Sequence, residues 1–182
     1  MGREVRRVPT SWEHPLDERN QLQPMFDKTF EQVAKEWKEA FLKWESGERP
    51  SYFDKECEEK NLQYWEWECG PPDRKYYRPW KDEEATWYQV WETVSEGTPV
   101  TPAFATKEEL VDYLVAHGDF WDQQRCRDGS LLRVWNRTSP CWTRKNAEAF
   151  VGLGFAPTLI MANKRSYDAS ELGEIDEKRE VL

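Results

Sequence analysis

Histidine is almost missing: His14 and His117 are the only two among 182 residues. Nucleophile–base pairs and histidine-rich metal sites each need an imidazole at hand, so this scarcity removes most of them. Neither HExxH nor GxSxG occurs, and no Walker A or GxGxxG loop is found. His117 precedes Gly118 at the end of a helical pattern. A positive imidazole is favoured there by the helix dipole, and that capping role is preferred to catalysis. Long apolar runs are also absent, and nothing approaches the ~20 residues of a membrane helix. Met1 to Arg7 leads into no apolar stretch, so no secretory signal is expected and the cytoplasm is the expected location. Cys57, Cys69, Cys126 and Cys141 lie 12, 57 and 15 residues apart, without the short knuckle of a structural zinc site. They read as ordinary thiols, with no metal, cofactor or disulfide.

Aromatic rings are plentiful instead: eleven Trp, eight Phe and seven Tyr. Each can bury roughly 150–250 Å², which offsets a modest aliphatic share and argues for folding. The length suits one domain, expected to be monomeric. The net charge of −9 disfavours direct DNA or RNA binding. Residues 27–69 carry twelve Asp/Glu against seven Lys/Arg, while residues 1–26 carry four of each.

Residues 1–26 read as an irregular arm, because Pro9, Pro15 and Pro24 interrupt helix. The clearest helix spans 29–46. Phe30, Val33, Ala34, Trp37, Ala40, Phe41 and Trp44 form its apolar stripe, and Thr29 with Gln32 has capping-box spacing. A second helix is expected within 53–66, a loop over 70–81 and another helix over 82–94. Thr106 with Glu109 opens a helix that Gly118 ends, and Thr143 caps one closed by Gly152 and Gly154. Leu131–Trp135 and Thr158–Ala162 read as strands, joined by Val100–Phe104 in a small sheet. The expected fold is α+β: four or five helices on a small sheet around an aromatic-rich core. One globular domain covers 27–167, and a polar, frayed tail covers 168–182.

Two candidate surfaces emerge. Glu56, Glu58, Glu59, Glu66 and Glu68 form an acidic stretch able to mimic phosphates and meet a basic, nucleic-acid-binding protein. Arg74, Tyr77, Arg78 and Trp80 instead combine charge with stacking faces, which suits a nucleotide. Arg125, Arg127, Arg133, Arg137 and Arg144 accompany Trp135 and Trp142 in the same style. For both patterns an ordinary solvated surface over an aromatic core is the simpler reading.

Three blocks carry a resemblance. They are Arg6-Arg7-Val8-Pro9 with Trp12-Glu13-His14-Pro15; Tyr88–Glu92 with Ser95–Pro102 and Phe104–Leu110; and Ala147–Val151 with Gly154–Pro157. Together they resemble a family of tailed-phage and prophage proteins for which no activity is established. The resemblance implies a virus-encoded protein acting in the cytoplasm of an infected bacterium, and it supplies no site. The leading expectation is a non-enzymatic accessory protein that binds a host protein, as an inhibitor of an anti-phage defence system. A nucleotide sponge or sensor is the alternative. An enzyme of unrecognised type is the third reading, with only the two histidines and scattered carboxylates to work with.

Overall fold

The computed structural model describes residues 2–53, 60, 62–68, 70–93, 97–157, 159–162, 165–168 and 170–171. The fold is α+β. The chain divides into two units: Met1–Pro24 with Trp80–Leu182, and Met25–Pro79. This replaces the single 27–167 domain, because residues 25–79 gather an aromatic core of their own.

In the first unit, β1 (Gly2–Val8) pairs antiparallel with β4 (Trp87–Glu92), from Arg3 opposite Glu92 to Val8 opposite Trp87. On its other side β1 pairs with β6 (Phe155–Pro157), and β5 (Thr98–Pro99) borders β4, giving the order β5-β4-β1-β6. The opening residues are therefore an interior strand and not an irregular arm. Only the segment from Pro9 to Pro24 is mostly non-repetitive, since prolines cannot donate to a ladder.

Residues 82–84 form a turn, and the expected helix over 82–94 is a strand. Trp87, Tyr88, Val90 and Trp91 are β-favouring side chains, and a strand covered on both faces need not alternate cleanly. Val5 and Val90 share the face covered by helices. There α3 (Lys107–His117) and α6 (Arg144–Leu153) pack a core of Val90, Val100, Leu110, Leu114, Trp142, Phe150 and Ala156. Each fully buried large apolar side chain contributes about 1.5–3 kcal/mol. Side-chain caps account for where these helices begin: Thr106 forms a capping box with Glu109, and Thr143 accepts from Asn146 N. Gly118 ends α3 at φ +69, where a Cβ would lie 2.1 Å from the Pro140 carbonyl oxygen.

Between them run α4 (Phe120–Arg127) and α5 (Ser130–Trp135). The latter corrects the expected strand at 131–135: a short apolar run does not distinguish the two, and left-handed Gly129 and Asn136 bracket a helix. The expected strand near 158–162 is present as β7 (Leu159–Ala162), with Thr158 outside the described residues. Its partner is β8 (Arg165–Asp168), while Val100 and Phe104 bond to Val90 and Tyr88 of β4. The tail beyond Glu171 lies outside the described residues.

The other sheet face carries Arg6 and Trp91. The Arg6 guanidinium lies 4.4 Å from the Trp91 ring, and the His14 ring meets that indole edge-on at 4.9 Å. His14 Nε2 donates to the Gln23 carbonyl at 2.7 Å, so the neutral imidazole keeps its proton on Nε2. Burial lowers the His14 pKa from 6.5; the Gln23 bond opposes this, and the Arg6 charge adds to it. The unfolded chain then binds more protons than the folded one below about 6.5, so stability falls as pH drops through that value. The denaturant midpoint should decline between about pH 7.5 and 5.5, and His14→Phe should flatten that slope.

In the second unit, β2 (Phe26–Thr29) runs parallel to β3 (Tyr77–Arg78), and Phe26 stacks on Tyr77 at 5.3 Å. Helix α1 (Phe30–Glu45) starts at the Thr29/Gln32 capping box, as expected. Of its stripe, only Trp44 is buried; Trp37 and Phe41 are half-exposed. A single turn, α2 (Tyr64–Trp67), faces it, and the earlier part of the helix expected at 53–66 lies largely outside the described residues.

Candidate functional site

Helix α1 carries Trp37, Phe41 and Trp44 on one face because three- and four-residue steps fall on one side of a helix. Tyr64 inserts among them, with ring centroids at 5.4, 6.0 and 5.7 Å. Trp67 stacks on Trp44 at 5.1 Å, and Tyr52 stacks on Trp67 at 5.6 Å. The result is a cleft of about 580 Å³ with aromatic walls, lined also by Glu36, Glu48 and Glu68 and by Lys43 and Arg49. Tyr52 is 75% exposed and Trp65 is 50% exposed, large rings for a monomer surface to leave wet. Burial raises the Tyr64 hydroxyl pKa, and the Glu68 carboxylate adds to the shift.

Arg49 shows what this surface accepts. Its guanidinium lies 4.0 Å from the Trp44 ring and 5.8 Å from Phe53, and Nη1 donates to the Trp44 carbonyl at 2.7 Å. A cation over an indole face is drawn by the ring quadrupole.

The structure sorts the expected residues unevenly. Glu66 and Glu68 are exposed, with Glu66 accepting from Gln63 N and Glu68 lining the cleft. Glu56, Glu58 and Glu59 lie outside the described residues. Arg74 is exposed, ion-paired to Glu31 at 2.9 Å and placed 4.1 Å from Phe30. Tyr77 is half-buried against Phe26. Arg78 is 8% exposed and donates to the Asp27 carbonyl. Trp80 is 4% exposed and belongs to the other unit, against Trp12 at 4.4 Å. Neither Arg78 nor Trp80 therefore offers an open face to a base.

The second basic cluster turns inward only in part: Arg125 and Arg137 are half-buried, while Arg127, Arg133 and Arg144 are exposed. Trp142 is buried and donates from Nε1 to Asp122 Oδ2 at 2.6 Å. Arg3 and Arg125 reach Asp122 Oδ1 at 3.3 and 3.2 Å, and Arg137 approaches it at 3.9 Å. Arg3 also pairs with Asp119, whose other oxygen caps α4 by accepting from Asp122 N. Asp119 and Asp122 are fully buried, so this is an internal charge network. No local signal marks Arg3; only the Gly118-Asp119 junction is recognisable, as a helix cap.

Among the described residues no group of three or more His, Cys, Asp or Glu is placed to hold a metal ion. Cys126 and Cys141 are half-buried free thiols, and Cys57 and Cys69 lie outside the described residues. No described helix is long and apolar enough to cross a membrane. No protein-family model, curated protein or solved structure matches the chain.

Proposed function

We propose that this is a non-enzymatic accessory protein of a tailed phage or prophage, working in the host cytoplasm. It binds a basic host protein and inhibits an anti-phage defence system. The aromatic cleft of the second unit carries the reading, because its walls and rim suit a protein interface. Exposed Trp and Tyr side chains are the usual anchors of binding surfaces, and carboxylates around them favour a basic counterpart. The chain's own Arg49 on Trp44 supports an arginine or lysine as the inserted group. The phage assignment rests on the three sequence blocks, and counter-defence is the role most consistent with a small acidic binder.

Affinity capture from infected host lysate with the native chain and with a Glu66→Lys/Glu68→Lys pair tests this. The partner should be basic, and charge reversal should slow association about tenfold, chiefly through the on-rate. Adding Glu56→Lys, Glu58→Lys and Glu59→Lys should slow it further, and rising salt should do the same. Association insensitive to salt and to every one of these changes would overturn the reading.

A further inference from the structure

A second cleft, of about 400 Å³, lies in the first unit, where the β4–β5 edge meets the first turn of α4. Its volume falls in the range of small-molecule sites. Phe120 and Trp121 stand in it edge-to-face at 5.2 Å, yet remain 49% and 39% exposed. Tyr113, Pro99 and Pro102 complete the apolar walls. Among the described residues Glu92 is the only charged member of the lining, and it is half-buried. Its Oε1 accepts from Thr98 Oγ1 at 2.9 Å, which fixes the carboxylate. No lysine or arginine pairs with it among the described residues. The buried arginine on the same sheet face, Arg3, is engaged by Asp119 and Asp122.

We infer that this cleft binds a small organic cation: an ammonium or guanidinium group on a flat or aliphatic body. The reasoning is one of charge. A partly desolvated carboxylate with no counter-ion is costly, and a bound cation relieves that cost. The rings of Trp121 and Phe120 attract the same charge through their faces and cover its apolar body. A phosphate-bearing ligand is disfavoured, because the lining holds no basic residue among the described ones. An added β-strand is also disfavoured: Pro99 occupies the sheet edge and has no N–H to donate. The site shares no residue with the aromatic cleft of the second unit, so it stands or falls independently of the protein-binding reading.

Calorimetric titration of the full chain tests this, using 2-phenylethylamine, tryptamine, agmatine and spermidine, with 2-phenylethanol as the neutral counterpart of the first. At least one amine should bind, and 2-phenylethanol should bind at least about tenfold more weakly than 2-phenylethylamine. Glu92→Gln keeps an oxygen for Thr98 and removes the charge. It should weaken the amine about tenfold and abolish the preference over the alcohol, at a melting temperature no lower than that of the native chain. Trp121→Ala should weaken amine and alcohol alike. Should Glu92→Gln prove unstable, the amine-over-alcohol preference of the native chain decides alone. No binding by any amine at millimolar concentration, equal binding of amine and alcohol, or binding indifferent to Glu92→Gln would overturn the proposal. An arginine-containing tetrapeptide that outcompetes every free amine would overturn it too, by assigning the cleft to a protein partner.

Discussion

Asp122→Ala should destabilise the first unit by about 3–5 kcal/mol, because it strips the carboxylate from a buried charge network. The loss compounds at one point. Arg3, 3% exposed, would lose one of its carboxylate partners; Arg125 and Arg137 would lose a shared acceptor; and the Trp142 indole N–H would lose its bond of 2.6 Å. Natural domains hold only about 5–15 kcal/mol in reserve, so a large fraction of the variant should unfold near physiological temperature. Trp142→Phe removes the hydrogen bond to Asp122 Oδ2 together with part of a buried ring, and should cost about 1–3 kcal/mol. Urea unfolding followed by circular dichroism separates the two. Equal midpoints for Asp122→Ala and the native chain would show that the network contributes nothing net.

Trp44→Ala should have the largest effect in the second unit, about 3–5 kcal/mol, since Trp44 is the one stripe residue 6% exposed. It takes away the ring on which Trp67 stacks, the edge against Tyr64 and the seat of Arg49. Trp37→Ala should cost about 1–2 kcal/mol, because a half-exposed ring gives up only part of its transfer free energy. The two should differ less in function than in stability. Both remove a cleft wall, so capture of the host partner should suffer in each, and for Trp37→Ala it should do so in a protein that still folds. Unfolding midpoints combined with capture yield measure the two effects apart.

Features written in a few adjacent residues were legible. Thr29 with Gln32, Thr106 with Glu109, and Thr143 name the starts of α1, α3 and α6, because a cap bonds only three residues away. The aromatic stripe of α1 was legible too, but as core. That Trp37 and Phe41 border a cleft depends on how α2 and Tyr52 approach, which no periodicity encodes. By its sequence β4 reads as a helix, because Ala85, Tyr88, Trp91 and Val94 recur at threes. Its strand conformation is set by β1, nearly half the chain away. The inward turn of Arg125 and Arg137 was equally hidden: a basic residue beside a tryptophan reads the same whether a buried aspartate or solvent awaits it.

The place of β1 also governs the order in which the first unit can be made. The strand leaves the ribosome before its neighbours on either side, Trp87–Glu92 and Phe155–Pro157. Until Trp87–Glu92 has been synthesised, Val5 and Val8 have no strand to join, and Arg3 waits longer, for Asp119 and Asp122. Such long-range pairing slows closure and leaves apolar strand edges open to other nascent chains. The second unit, drawn from one unbroken stretch between Met25 and Pro79, has no such delay. Its aromatic cleft can form while the sheet is still incomplete.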